Sequence, residues 1–150
     1  MIHKVSANLY IGDIDSCKGR DKSGSVIHAC KYPCYASVCG NKVDKWNPNY
    51  LFYEAENDLY LNIIDSDEPL FYKETFDVAL EFIKKHIADK KVIVHCNSGK
   101  SRSPSIAMLY LFNNLTYREA QNQMLDIYNE YNPSMGIDEW LGYNWTSFQK

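Results

Sequence analysis

The run His95-Cys96-Asn97-Ser98-Gly99-Lys100-Ser101-Arg102-Ser103 gathers a thiol, a glycine, three serines and two cations into nine residues. It follows Val92-Ile93-Val94, apolar on both faces as in a central parallel strand. It precedes Ile106 to Phe112, apolar nearly all round as in a helix buried in a core, with Pro104 tolerable only in that helix's first turn. Cys96 thus stands at the carboxyl end of a strand and just before a helix N-terminus. Turn N–H groups and the helix dipole make such a place an anion cradle, and the same field favours the thiolate form of Cys96. Arg102, one helical turn on, can present a planar fork to two phosphate oxygens. The loop therefore supplies a nucleophile and a phosphate clamp together, with Asn97, Ser98, Gly99, Lys100, Ser101 and Arg102 as the substrate-binding residues.

An acid is available upstream. Asp65, Asp67 and Glu68 crowd one short stretch, and mutual repulsion favours at least one of them keeping its proton. Their titrations are coupled, so the crowding alone does not choose among them.

The segment His95 to Ser103 resembles the signature of the cysteine-dependent protein phosphatases: His-Cys, five residues, Arg, then Ser or Thr. Asn8-Leu9-Tyr10-Ile11-Gly12, Val26-Ile27-His28 and Arg102-Ser103-Pro104-Ser105 are similar to the small dual-specificity branch, and the resemblance runs along nearly the whole chain, loosest across Lys31 to Leu59. It implies a protein-tyrosine-phosphatase-like α/β fold, a central mostly parallel sheet covered by helices with the phosphate-binding loop between a central strand and a buried helix. Through Tyr60-Leu61-Asn62-Ile63-Ile64-Asp65-Ser66-Asp67 it assigns the general acid to Asp67, with Asp65 as the competing assignment. Cys96 would attack phosphorus while Asp67 protonates the leaving oxygen, and water would then attack the phosphocysteine with Asp67 as base. In the same reading Ser103 stabilises the departing thiolate, His95 orders the loop and tunes Cys96, and neither a metal nor another cofactor is required.

The implied substrate is a phosphorylated protein, carrying phosphotyrosine and, through a shallow pocket, phosphoserine or phosphothreonine. Lys100 is either a solvated side chain or a rim cation that draws substrates with extra negative charge, as a Lys at this offset does in phosphoinositide phosphatases of the superfamily. That keeps open the same chemistry on a phosphoinositide, a phosphoglycan or an RNA 5′ end. A rhodanese-type sulfurtransferase and a phosphate-recognition module without turnover are the rivals from other classes. The first needs no upstream acid, and the second needs no thiolate.

Three other motifs carry less. Gly99-Lys100-Ser101 ends like a nucleotide-binding P-loop, but Val94 stands where that motif needs glycine. His28, Cys30, Cys34 and Cys39 fit no common zinc spacing, so packing is the expectation for them. Tyr50, Phe52, Tyr53 and Tyr60 are open to a substrate surface or to core packing, the commoner role at alternating strand positions, and stay unassigned.

The elements that position the loop follow from patterning. The chain has 150 residues, with 16 Lys and Arg against 19 Asp and Glu and a net charge of −3. That suits one domain, residues 1–150, and argues against a nucleic-acid partner, whose binding needs a basic face. The charges are segregated: Lys84 to Arg102 holds six cations and one acid, Glu54 to Glu68 six acids and no cation. No apolar run is long enough to insert in a membrane, and Met1-Ile2-His3-Lys4 opens no secretory signal, so a cytoplasmic protein with free thiols is expected. Asn114-Leu115-Thr116 and Asn144-Trp145-Thr146 are then chance matches to a glycosylation triplet. The oligomeric state is not legible.

Strands are predicted at Val5 to Ile11, at Val26 to Cys30 after the turn Ser23-Gly24-Ser25, and at Leu59 to Ile64, with a loop over Lys31 to Asn49. Phe76, Ala79, Leu80, Ile83 and Ile87 predict an amphipathic helix with Lys84, Lys85 and His86 in its last turn. Thr116 and Glu119 form a capping box for a helix carrying Ala120, Met124, Ile127, Tyr128 and Tyr131, stopped by Asn132-Pro133. A final helix is predicted over Ile137 to Phe148.

Overall fold

The computed structural model describes residues 1–18 and 24–149; Ser23, read above as part of a turn, lies outside them. The alternation over Val5 to Ile11 predicts one strand, but the chain reverses there. β1 (Ile2–Ser6) and β2 (Leu9–Gly12) form an antiparallel hairpin. Asn8 makes the turn at φ 65°, a left-handed conformation that Asn tolerates, and its amide donates to the Ile87 carbonyl at 3.2 Å.

β3 (Ser25–His28), β4 (Phe52–Glu54), β5 (Asp58–Leu61) and β6 (Val92–His95) complete a six-stranded sheet in the order β1-β2-β6-β3-β5-β4. The inner pairs β2·β6, β6·β3 and β3·β5 are parallel, and the outer pairs β1·β2 and β4·β5 are antiparallel. The run Val92-Ile93-Val94 is indeed in the middle of the sheet. β4 is an edge strand that supplies two of the four unassigned aromatics.

The segment over Lys31 to Asn49 is not wholly a loop. A helical turn at Lys31–Tyr35 leads into α1 (Ala36–Cys39), closed by Gly40 at φ 89°. Pro33 and Gly40 punctuate this short element rather than a featureless connection.

α2 (Lys73–His86), α3 (Arg102–Phe112), α4 (Tyr117–Ile127) and α5 (Met135–Asn144) cover the sheet, and a tight turn at Trp145–Phe148 follows. α3 is buried from Arg102 through Leu109, as its all-round apolarity requires. Each of Ile106, Met108 and Leu109 contributes about 2 kcal/mol by leaving water. The capping box forms, with Thr116 Oγ1 accepting from Glu119 N–H and Glu119 accepting from Thr116 N–H, both at 3.1 Å. α4 ends at Ile127, sooner than the spacing predicts. Tyr128 and Tyr131 lie beyond it yet remain buried, so the apolar period outlasts the helix. Phe76 of α2 stacks on Trp140 of α5 at 4.8 Å between ring centres, closing the core at that end.

His86 ends α2 with its Nδ1 3.0 Å from Ser25 Oγ. Burial, with Lys90 and Lys85 nearby, holds its pKa below the ordinary 6.5, so the folded ring stays neutral. The unfolded ring takes a proton more readily. The stability contributed by neutral His86 is therefore complete above pH 6.5 and declines as pH falls below it. An NMR titration should show the His86 ring titrating below pH 6.5, and His86→Gln should flatten the acid-side loss of thermal stability.

Candidate active site

β6 delivers Cys96 to the mouth of a loop whose base is the turn after β2. Cys96 N–H donates to the Gly12 carbonyl at 3.2 Å, and the residue is 1% exposed. Ser103, in the first turn of α3, closes around the sulfur. Its N–H donates to Sγ at 3.4 Å, the thiol donates to Ser103 Oγ at 3.3 Å, and the Ser103 hydroxyl donates to Gly12 O at 3.3 Å. On ionisation that hydroxyl can turn its hydrogen from the carbonyl to the sulfur, so one group serves both thiol and thiolate.

The loop is tied from outside. Ile14 N–H donates to Asn97 O (3.1 Å), Tyr128 O–H to Gly99 O (2.9 Å) and Asn132 N–H to Lys100 O (2.7 Å). These carbonyls are satisfied away from the cradle, which leaves its interior to donors. Gly99 sits at φ 75°, where any side chain would be strained. The Tyr128 anchor is missed by reading the sequence, although the period of α4 reaches that residue.

Arg102 is 7% exposed and held in place from two sides. Nη1 donates to the Ile63 carbonyl at 3.0 Å and Nη2 to Asn97 Oδ1 at 2.7 Å. Its Nε is buried with no hydrogen-bond partner among the described residues. A buried cationic donor with an unmet N–H strongly favours an anionic acceptor.

The two candidate acids are not equivalent. Asp65 Oδ1 accepts from Ser101 Oγ at 2.7 Å, and Ser101 Oγ also accepts from Ser134 N–H at 2.8 Å. Asp65 is thus a strut between its own loop and the start of α3. Asp67 is exposed two residues on, with no hydrogen bond to the cradle among the described residues. Its loop is held by α5, where Gly136 N–H donates to Ser66 O at 3.1 Å. A Cβ on Gly136 would overlap the carbonyl oxygens of Ser66 and Glu68, which explains the glycine. Gly136→Ala should displace this loop and cut whatever turnover the cradle supports by about tenfold, measured beside a thermal melt.

His95 points away from the cradle. Its Nδ1 donates to the Cys96 carbonyl at 3.4 Å, and its Nε2 lies 2.8 Å from His28 Nδ1. Burial, then the neighbouring His28, push its pKa down to about 4, so the ring is neutral at pH 7. His28 Nε2 is in turn 2.8 Å from Asp58 Oδ1. This Asp58-His28-His95 chain reaches the backbone of Cys96, and the sequence reading misses it because His28 and His95 meet only through the parallel register of β3 and β6. Ser98 and Lys100 are exposed at the rim. The predicted loop residues thus lie together, and the two acids stand on a separate loop, tied to α5 by Gly136 and to the cradle's loop by the Asp65–Ser101 hydrogen bond.

A helix-covered sheet whose central parallel strand ends in such a loop is the protein-tyrosine-phosphatase-like fold. The chain belongs to the dual specificity phosphatase family, whose catalytic-domain model matches residues 38–144, more than half of its length. It is 28% identical over 130 residues to dual specificity protein phosphatase 26 of Pongo abelii, an alignment covering 82% of this chain and 57% of that protein. It is 30% identical over 104 residues to dual specificity protein phosphatase PHS1 of Arabidopsis thaliana, covering 67% and 11%. The chain therefore spans less than two thirds of the length of either relative. Among solved structures, the fold resembles DUSP15 with a TM-score of 0.72 at 23% identity, over 99% of this chain and 90% of that one. It also resembles PTPMT1, solved in complex with PI(5)P, with a TM-score of 0.68 at 16% identity, over 98% and 96%. No helix among the described residues is long and apolar enough to cross a membrane.

Proposed function

We propose that residues 1–150 form one catalytic domain that hydrolyses phosphate monoesters on proteins, phosphotyrosine and also phosphoserine or phosphothreonine, through a phosphocysteine. The observation that carries this reading is the buried Arg102 with an unmet Nε, in the same loop as a Cys96 sulfur already served by Ser103. Cys96 thiolate attacks phosphorus in line. The P–O bond breaks and Asp67 delivers its proton to the leaving oxygen. Arg102 and the loop N–H groups hold the equatorial oxygens, so positioning and charge stabilisation supply most of the rate. Water then attacks the phosphocysteine as Asp67 takes its proton, and Ser103 donates to the sulfur as it leaves. His95 acts through the Cys96 carbonyl, as a positioning residue. None of these steps needs a metal.

The protein-substrate reading is favoured by the family. A phosphoinositide is the second reading, supported by exposed Lys100 at the rim and by the likeness to PTPMT1, whose crystals contain PI(5)P. Phosphate release from phosphotyrosine, phosphoserine and phosphothreonine peptides, set beside a phosphoinositide panel, separates the two. Activity should survive chelators, disappear on mild oxidation and return with a thiol reductant. Strict dependence on added Mg²⁺ or Zn²⁺ would contradict the mechanism.

A further inference from the structure

Behind the catalytic loop, at the carboxyl ends of three neighbouring strands, four donor side chains converge. Cys17 follows β2, His28 ends β3, Cys34 lies in the turn after β3, and His95 ends β6. Their ligand atoms all lie within 4.8 Å of one another. Cys34 Sγ is 3.8 Å from His95 Nε2, which is 2.8 Å from His28 Nδ1.

The outer contacts suit rings that carry their protons outward, the arrangement that a metal between the two inner nitrogens requires. A carboxylate accepts only, which suits a hydrogen on His28 Nε2, toward Asp58. A carbonyl accepts only, which suits one on His95 Nδ1, toward Cys96 O. The inner nitrogens, His28 Nδ1 and His95 Nε2, then turn toward each other and toward two sulfurs. A histidine whose outer N–H is held by a carboxylate or a backbone carbonyl is the usual arrangement around a ligated metal.

We propose that Cys17, His28, Cys34 and His95 form a four-coordinate zinc site, with Asp58 and the Cys96 carbonyl orienting the two imidazoles. The donor set, two thiolates and two imidazoles, suits Zn²⁺ rather than a hard cation such as Mg²⁺ or Ca²⁺. Tetrahedral zinc places two ring nitrogens about 3.3 Å apart and two sulfurs about 3.8 Å apart. The histidines must therefore open by roughly half an ångström while the wider donor pairs draw in. Binding displaces the two thiol protons, together with any proton shared by the two inner ring nitrogens, to solvent, and no bond is oxidised or reduced. The site is distinct from Cys96, and its ligands come from the loops after β2 and β3 and from the ends of β3 and β6. Zinc would tie these loops together and fix His95 beneath the nucleophile without entering the hydrolytic steps. Sequence spacing disfavours zinc because Cys30 and Cys39 are the wrong cysteines. Cys17 and His95 arrive only through the topology.

The test uses the reduced, metal-stripped chain, titrated with Zn²⁺ against a chromophoric chelator and separately with Co²⁺. One Zn²⁺ per chain is expected in the native protein and equally in Cys96→Ser. The Co²⁺ form should show tetrahedral bands and thiolate charge transfer. Cys17→Ser and Cys34→Ser should each weaken binding at least tenfold, and Asp58→Asn by about 10- to 100-fold. Cys17 is a half-buried loop residue, so its variant should fold, as a thermal melt will verify. No stoichiometric binding, as when the two rings merely share a proton, would overturn the proposal. So would binding lost in Cys96→Ser, or unchanged in both Cys17→Ser and Cys34→Ser. Because the readout is binding, failure of the phosphatase reading would be seen separately.

Discussion

Cys96→Ser is expected to abolish turnover, lowering kcat by about 10⁴-fold or more on p-nitrophenyl phosphate while the protein stays folded. The substitution is nearly isosteric. A serine oxygen can occupy the sulfur's place between Ser103 and the loop. What it lacks is nucleophilicity, because an alcohol gives up its proton far less readily than a thiol and is the weaker nucleophile. Arg102 and its anchors at Ile63 and Asn97 are untouched, so a phosphorylated ligand should still bind. Retained binding with lost kcat separates chemistry from collapse of the site. Comparable loss of both would mean that Cys96 is structural.

Asp67→Asn is expected to cost about 10²- to 10³-fold in kcat on a phosphotyrosine peptide. The loss should be smaller on p-nitrophenyl phosphate, whose leaving group needs less help from a proton. Asp65→Asn should act differently, because Asp65 reaches the cradle through its hydrogen bond from Ser101. About tenfold, spread evenly over both substrates, is the expected result. If Asp65→Asn showed the dependence on leaving group and Asp67→Asn did not, the acid would have to be reassigned. A rhodanese-type sulfurtransferase would be indifferent to either change in leaving-group terms.

The proposed nucleophile and phosphate clamp are adjacent in sequence, which is why they are legible there. His95 to Ser103 occupies one strand end, one turn and one helix start, and local rules suffice to join them. The central position of β6 is legible for the same reason, since Val92, Ile93 and Val94 must be covered on both faces. What escapes is assembled from distant segments. The role of Ser101 as a hub needs Asp65 and Ser134, 36 and 33 residues away. The histidine chain needs β3 and β6 to be parallel neighbours in register. The hairpin at Asn8 is missed because alternation continues across a turn too short to interrupt it. The helix over Ala36–Cys39 is missed because four residues show no period.

The central claim is that phosphate passes through sulfur. Ser103→Ala should slow the second step more than the first, because the departing thiolate loses its hydroxyl donor. This variant, acid-quenched during turnover and digested for mass spectrometry, is predicted to carry one phosphoryl group on the peptide containing Cys96. An unmodified Cys96 peptide throughout turnover, with phosphate still released at a steady rate, would contradict the covalent mechanism.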